Sequence, residues 1–127
     1  ACWGTGDMQQ YDVSDPFNPK LTGKVRIGGI VARAPHPSGS GPLNGGPQVV
    51  RISRDGPPVY FTNSLYGAID PQFYPDGIDG WMVKLDAKDG GGIAFDPKFF
   101  VKWPKPHRPH QVRLQGGDCS SDSYCYP

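Results

Sequence analysis

The sequence predicts an all-β chain, a β-propeller fragment of about one and a half to two blades. Glycine and proline, 18 and 15 of 127 residues, interrupt the chain so often that no run of ten residues lacks both. An average helix runs about 11–12 residues, and interior glycine and proline cost it roughly 1 and 3 kcal/mol. Short runs rich in β-branched and aromatic residues stand between turn residues instead. The chain also repeats itself: Gly6-Asp7-Met8-Gln9-Gln10-Tyr11-Asp12-Val13-Ser14-Asp15 aligns without gaps on Gly80-Trp81-Met82-Val83-Lys84-Leu85-Asp86-Ala87-Lys88-Asp89, matching Gly, Met and both Asp. Its 12% aromatic content supplies apolar surface against the entropy of ordering, so disorder is not expected.

The elements follow in order. Met8–Val13 and Leu21–Ile27 are strands joined by the turn Ser14-Asp15-Pro16, and residues 1–29 form the outer half of a blade. Residues 30–47 are a Gly/Pro/Ser-rich loop, with His36 between Pro35 and Pro37 expected to be exposed. Residues 48–103 hold the strands Gln48–Ser53, Val59–Asn63, Trp81–Asp86 and Ile93–Phe95 with Phe99–Trp103. Asp55-Gly56 makes the first turn, because Gly tolerates the positive φ required there. Lys88-Asp89-Gly90-Gly91 makes the last. Four sequential antiparallel strands are one propeller blade. The copies lie 74 residues apart, beyond the roughly 40–50 of a blade repeat, and the loops at 30–47 and 64–79 absorb the excess. Residues 104–127 form a C-terminal closing segment with histidine and cysteine, including a last strand at Gln111–Leu114. Repeat units bury their faces on their neighbours, and about three are normally needed. The chain, opening on Ala1-Cys2-Trp3, is therefore expected to be part of something larger or to assemble.

Net charge is +1, with 13 basic and 12 acidic residues intermixed and no basic stripe, which argues against a nucleic-acid partner. No apolar run approaches the 18 or more residues of a transmembrane helix, and there is no signal-peptide pattern. Cys2, Cys119 and Cys125 match neither a disulfide framework nor a Cys-x-x-Cys motif.

Chemistry concentrates in the tail. In His107-Arg108-Pro109-His110, two imidazoles close together suit copper or zinc, although a centre needs about three protein ligands; the alternative is a solvated Pro-rich loop. Cys119, in Gly116-Gly117-Asp118-Cys119, could act as a thiolate or be a buried residue after a glycine turn. Asp70, Asp76 and Asp79 offer oxygen ligands without EF-hand spacing, and Asp beside Gly and Pro is ordinarily turn chemistry. The pair Phe73-Tyr74 is expected to pack its loop against the blade.

At these residues the chain resembles the C-terminal part of the selenium-binding protein family, whose bacterial members include methanethiol oxidase. The resemblance rests on Gln10 to Pro16, Pro19 to Gly23, Gly45-Gly46-Pro47-Gln48, Thr62 to Tyr66, Gln72 to Asp76 and His107 to Asp122, in collinear order. It implies a seven-bladed parent propeller and copper-dependent oxidation of methanethiol by O2 and water to formaldehyde, hydrogen sulfide and hydrogen peroxide. It further implies copper held by histidines from several parts of the chain, His110 matching the family's C-terminal histidine and His107 ranking second. Selenium binding in the matched tail would fall to Cys119. The implied partners are a small thiol substrate and the remaining blades of the parent, or another copy of the chain. The implied compartment is periplasmic as in bacterial methanethiol oxidases, otherwise cytoplasmic. The family's paired-cysteine segment and its other histidines are absent, Ile69 stands where Trp is usual, and Pro57-Pro58 replaces a polar or basic pair. The chain by itself is thus expected to be inactive. Two further readings are a selenium-trafficking propeller without turnover, and a β module that binds partners through an open sheet edge.

Overall fold

The computed structural model describes residues 1–31, 33–39, 41–53, 56, 58–63 and 68–112. β1 (Asp7–Asp12) and β2 (Lys20–Arg26) form an antiparallel hairpin with a register shift between Gln10 and Tyr11. Its turn is built by Asp15, whose carboxylate accepts from the Phe17 backbone N–H (3.1 Å) and from Asn18 Nδ2 (2.8 Å). Asp7 locks the other end, binding Arg26 at 2.9 Å and Lys24 at 3.1 Å. Burial pushes the Asp7 carboxyl up, but the bonds from Arg26, Lys24 and Thr5 outweigh it and leave it below the ordinary value.

β5 (Val49–Ile52), β6 (Pro58–Thr62), β7 (Gly80–Ala87) and β8 (Ile93–Trp103) make one antiparallel sheet in sequential order, the topology of a propeller blade. The chain is nearly all-β, as its composition predicts. β8 was expected as two pieces and is one strand. Val83 pairs with Phe100 and Leu85 with Phe95, so Asp96–Phe99 bulge opposite Lys84. Pro97, which has no N–H for the ladder, falls inside that bulge. Asp96 stabilises it, accepting from Lys84 Nζ and from the Lys98 backbone N–H, each at 2.9 Å.

Three expectations are corrected. Residues 30–47 are not only loop, because β3 (Ala34–Pro35) and β4 (Pro42–Leu43) pair within them. Residues 64–79 carry one helical turn, α1 (Asp70–Phe73), where Pro71 occupies a first-turn position whose N–H would be unpaired anyway. Gln111 and Val112 lie outside any strand; their segment crosses the ends of β6 and β7 and is met there by a side chain, Thr62, rather than by a ladder. Arg113 and Leu114 lie outside the described residues.

The core sits between the β1–β2 hairpin and one sheet face. Met8, Ile27, Leu43, Phe61, Trp81, Val83 and Leu85 are all buried. Gln10 fastens the hairpin to the turn before β8, its Oε1 accepting from the Gly92 N–H (2.8 Å) and from Thr22 Oγ1 (3.2 Å). The sequence repeat is also a repeat of shape. After β2 the chain crosses the start of β1, where Ile27 N–H donates to the Gly6 carbonyl at 2.9 Å. After β8 it crosses the start of β7 at Gly80.

Candidate functional site

Residues 104–112 form a strap leaving β8, and it carries both candidate histidines. A turn starts it, with His107 N–H donating to the Pro104 carbonyl at 3.0 Å. Lys105 Nζ donates to the Asp76 carbonyl at 2.7 Å. Arg108 forms an ion pair at 2.5 Å with Asp70, which is 1% exposed at the start of α1. Thr62 Oγ1 donates to the His110 carbonyl at 3.0 Å. The strap backbone lies directly on β7: a Cβ at Gly80 would stand 2.6 Å from the His107 carbonyl oxygen and 2.7 Å from Pro109 Cδ. Only glycine permits that approach.

The strap holds the His107 and His110 backbones while both side chains stay exposed. Neither ring hydrogen-bonds to another described residue. Two imidazoles are suitable copper donors and fall short of a full set; among the described residues no three His, Cys, Asp or Glu gather. The pair thus fits a metal as part of a larger donor set. Cys119 and Cys125 lie outside the described residues. Cys2 is partly buried and free.

Asp70, Asp76 and Asp79 do not converge on a cation site. Asp70 is engaged by Arg108, Asp79 pairs with Lys102 at 3.0 Å, and Asp76 contributes its backbone carbonyl to Lys105. Phe73 and Tyr74 pack their loop on Trp3, before β1, rather than on the blade, each ring edge-on at 5.2 and 6.0 Å, with Tyr74 buried and Phe73 exposed. Burial raises the Tyr74 phenol above its ordinary value.

His36 is a further correction: it is 1% exposed rather than exposed. Its ring sits 5.1 Å from both Phe95 and Phe100, and Nδ1 meets Ser38 Oγ at 2.7 Å and the Ser38 N–H at 3.1 Å. Sequence reasoning missed Arg108 and Asp70 as partners as well. They stand 38 residues apart, and Asp70-Pro71 locally reads as a turn.

A groove of about 350 Å³ opens between β1 and the inner strands of the sheet, lined by Tyr11, Val50, Ile52, Val59 and Phe61 among others. Among the described residues its lining includes no carboxylate, imidazole, thiol or basic side chain. It is a largely apolar surface, and none of the described strap residues lines it.

The sequence model of the family described as 56kDa selenium binding protein (SBP56) matches residues 1–125. The methanethiol oxidase of Xenopus tropicalis is 39% identical across 94% of this chain, and that of Homo sapiens 38%. Selenium-binding protein 3 of Arabidopsis thaliana is 37% identical over the same share. The chain spans 30% of the length of each of these relatives. The X-ray structure of a hypothetical selenium-binding protein from Sulfolobus tokodaii matches 98% of this chain with a TM-score of 0.89 and 60% identity, over 27% of its own length.

Proposed function

Because the chain belongs to the 56 kDa selenium-binding protein family, we propose that it is the C-terminal part of a methanethiol-oxidase-like enzyme. The reaction converts methanethiol, O2 and water to formaldehyde, hydrogen sulfide and hydrogen peroxide. The observation that carries this reading is the strap. Within a segment 38–39% identical to proteins named methanethiol oxidase, it fixes the backbone of two histidines and leaves their side chains exposed.

His110, with His107 beside it, would hold copper together with donors supplied outside this segment. Bound copper supplies redox chemistry toward a thiol and O2 that no amino-acid side chain provides. The segment's own contribution is positional. Gly80 lets the strap lie on the blade, and Thr62 and Arg108 fix it there with the His110 side chain exposed. Among the described residues no third donor joins the two histidines, so the reading takes the remaining ligands from elsewhere in the protein.

The test places this segment in a full-length relative, the Sulfolobus tokodaii protein, in exchange for the matching residues, and measures sulfide and peroxide released from methanethiol. Turnover should appear in the exchanged protein and fall at least tenfold in His110→Ala, the lower end of the roughly 10–100-fold loss typical even of outer-shell changes. No turnover before mutation would overturn the activity. An unchanged rate in His110→Ala would remove His110 from the site.

A further inference from the structure

We infer that Asp70 and Arg108 are positioning residues for the histidine strap, so that the α1 loop sets where His107 and His110 stand. The inference rests on the reading of His110 as a ligand and names what holds it.

Burial is the first argument. A carboxylate taken out of water is costly unless it is paired and hydrogen-bonded. Asp70 is 1% exposed, and the guanidinium that reaches it comes from the strap residue between the two histidines. The side chain of Arg108 remains 25% exposed, so the strap rather than the loop supplies the movable partner. Arginine suits the task because its planar fork fixes an angle as well as a distance.

The surrounding contacts show why one ion pair can govern both rings. Lys105 holds the start of the strap on the Asp76 carbonyl, Thr62 holds its end on the His110 carbonyl, and Arg108 is the side-chain tether between them. The tethers reach parts of the fold set by other contacts: Asp76 lies three residues past the end of α1, and Thr62 is buried in β6. Pro109, between Arg108 and His110, limits backbone freedom in the same stretch. Releasing Arg108 therefore frees the segment that carries both imidazoles, while β7 beneath it keeps its ladders to β6 and β8.

Order in the strap matters because a metal site pre-organised before binding does not spend affinity on ordering its donors. Residues that orient metal-ligating histidines typically account for 10–100-fold in affinity. Asp70 and Arg108 should act as a pair on the strap, since the ion pair between them is what joins it to α1.

The experiment compares the full-length Sulfolobus tokodaii protein carrying this segment with its Asp70→Asn, Arg108→Gln, Arg108→Lys, His110→Ala and Asp70→Asn/Arg108→Gln variants. Hydrogen exchange by mass spectrometry reads the peptide spanning 104–112, with the peptide spanning 80–87 as a control for the blade. Titration with Cu(II), cysteines alkylated, reads affinity, and nitrogen hyperfine structure in the electron paramagnetic resonance spectrum reports imidazole. The expected result is a strap protected in the wild type, with exchange at least tenfold faster in Arg108→Gln and an unchanged 80–87 peptide. Cu(II) affinity should fall about 10–100-fold in each single variant and no further in the double variant, with partial recovery in Arg108→Lys. Should Asp70→Asn also loosen the 80–87 peptide, the Arg108 pair decides alone. A strap unprotected in the wild type, or unchanged in Arg108→Gln, overturns the inference whatever Cu(II) does. Faster strap exchange together with wild-type Cu(II) binding in His110→Ala keeps the tether and removes His110 as a ligand.

Discussion

At His36 a turn hydrogen bond decides a protonation state. The Ser38 backbone N–H can only donate, so the Nδ1 it reaches at 3.1 Å is an acceptor, and in the neutral ring the proton sits on Nε2. Nε2 is buried with no partner among the described residues. A ring fixed in this way has no lone pair to offer a metal, which separates His36 from His107 and His110. Burial lowers its pKa, partly offset by Asp96, the charged group acting on it from β8 and itself held by Lys84 of β7. The unfolded chain then takes up a proton near the ordinary 6.5 that the folded chain refuses. Stability is therefore full above that pH and falls as pH drops below it. Urea unfolding at pH 7.5 and 5.5 should show this loss in the wild type and a smaller one in His36→Phe; equal losses would contradict it. None of this was legible in Pro35-His36-Pro37. It stands between the two-residue strand β3 and a turn, and the two phenylalanines that bury it lie in β8.

At the level of elements, what alternation and turn chemistry specify was readable, and what distant partners specify was not. β1, β2 and β5 to β8 follow from β-rich runs between Gly, Pro and Asp. β8 looked broken at Asp96-Pro97, because the rescue of the bulge comes from Lys84 on the neighbouring strand. The join between β6 and β7 shows the same dependence. Past the last pair, Thr62 with Met82, one long backbone bond remains, Asn63 N–H to the Trp81 carbonyl at 3.3 Å, and the Asn63 side chain adds to it. Its Oδ1 accepts from the Trp81 N–H at 2.6 Å, and its Nδ2 donates to the Asp79 carbonyl at 2.8 Å. Gly45, at φ +76°, packs so close that a Cβ would stand 2.7 Å from that Nδ2. Removing this side chain strands buried backbone groups, each costing about 1–3 kcal/mol. Asn63→Ala should thus lower the unfolding free energy, read by urea titration, by at least that much, and a change within about 0.5 kcal/mol, usual for surface substitutions, would show that the loop closes without it. The strap was half legible: its histidines stand out in the sequence, while the residues that hold them, Asp70, Thr62 and Gly80, are scattered through three other elements.

Across the whole molecule, one and a half blades leave surface that asks for more protein. β1 and β2 repeat β7 and β8, but β7 carries β6 and β5 on its inner edge, and β1 has no strand there among the described residues. The groove beside that edge exposes Val50 and Ile52 at 37% and 46%. The equivalents of β5 and β6 would cover both, and the relatives are long enough to supply them, since this chain spans 27–30% of their length. The unfinished sheet parallels the unfinished donor set of the proposed reading, in which the segment would bring His110 and the rest of the propeller the remaining ligands. Copper content measured by elemental analysis tests that most directly, on the full-length Sulfolobus tokodaii protein carrying this segment. The account predicts copper in that protein, its loss in His110→Ala, and little bound by the 127-residue chain alone under the same dialysis. Equal copper with and without the His110 imidazole would contradict it.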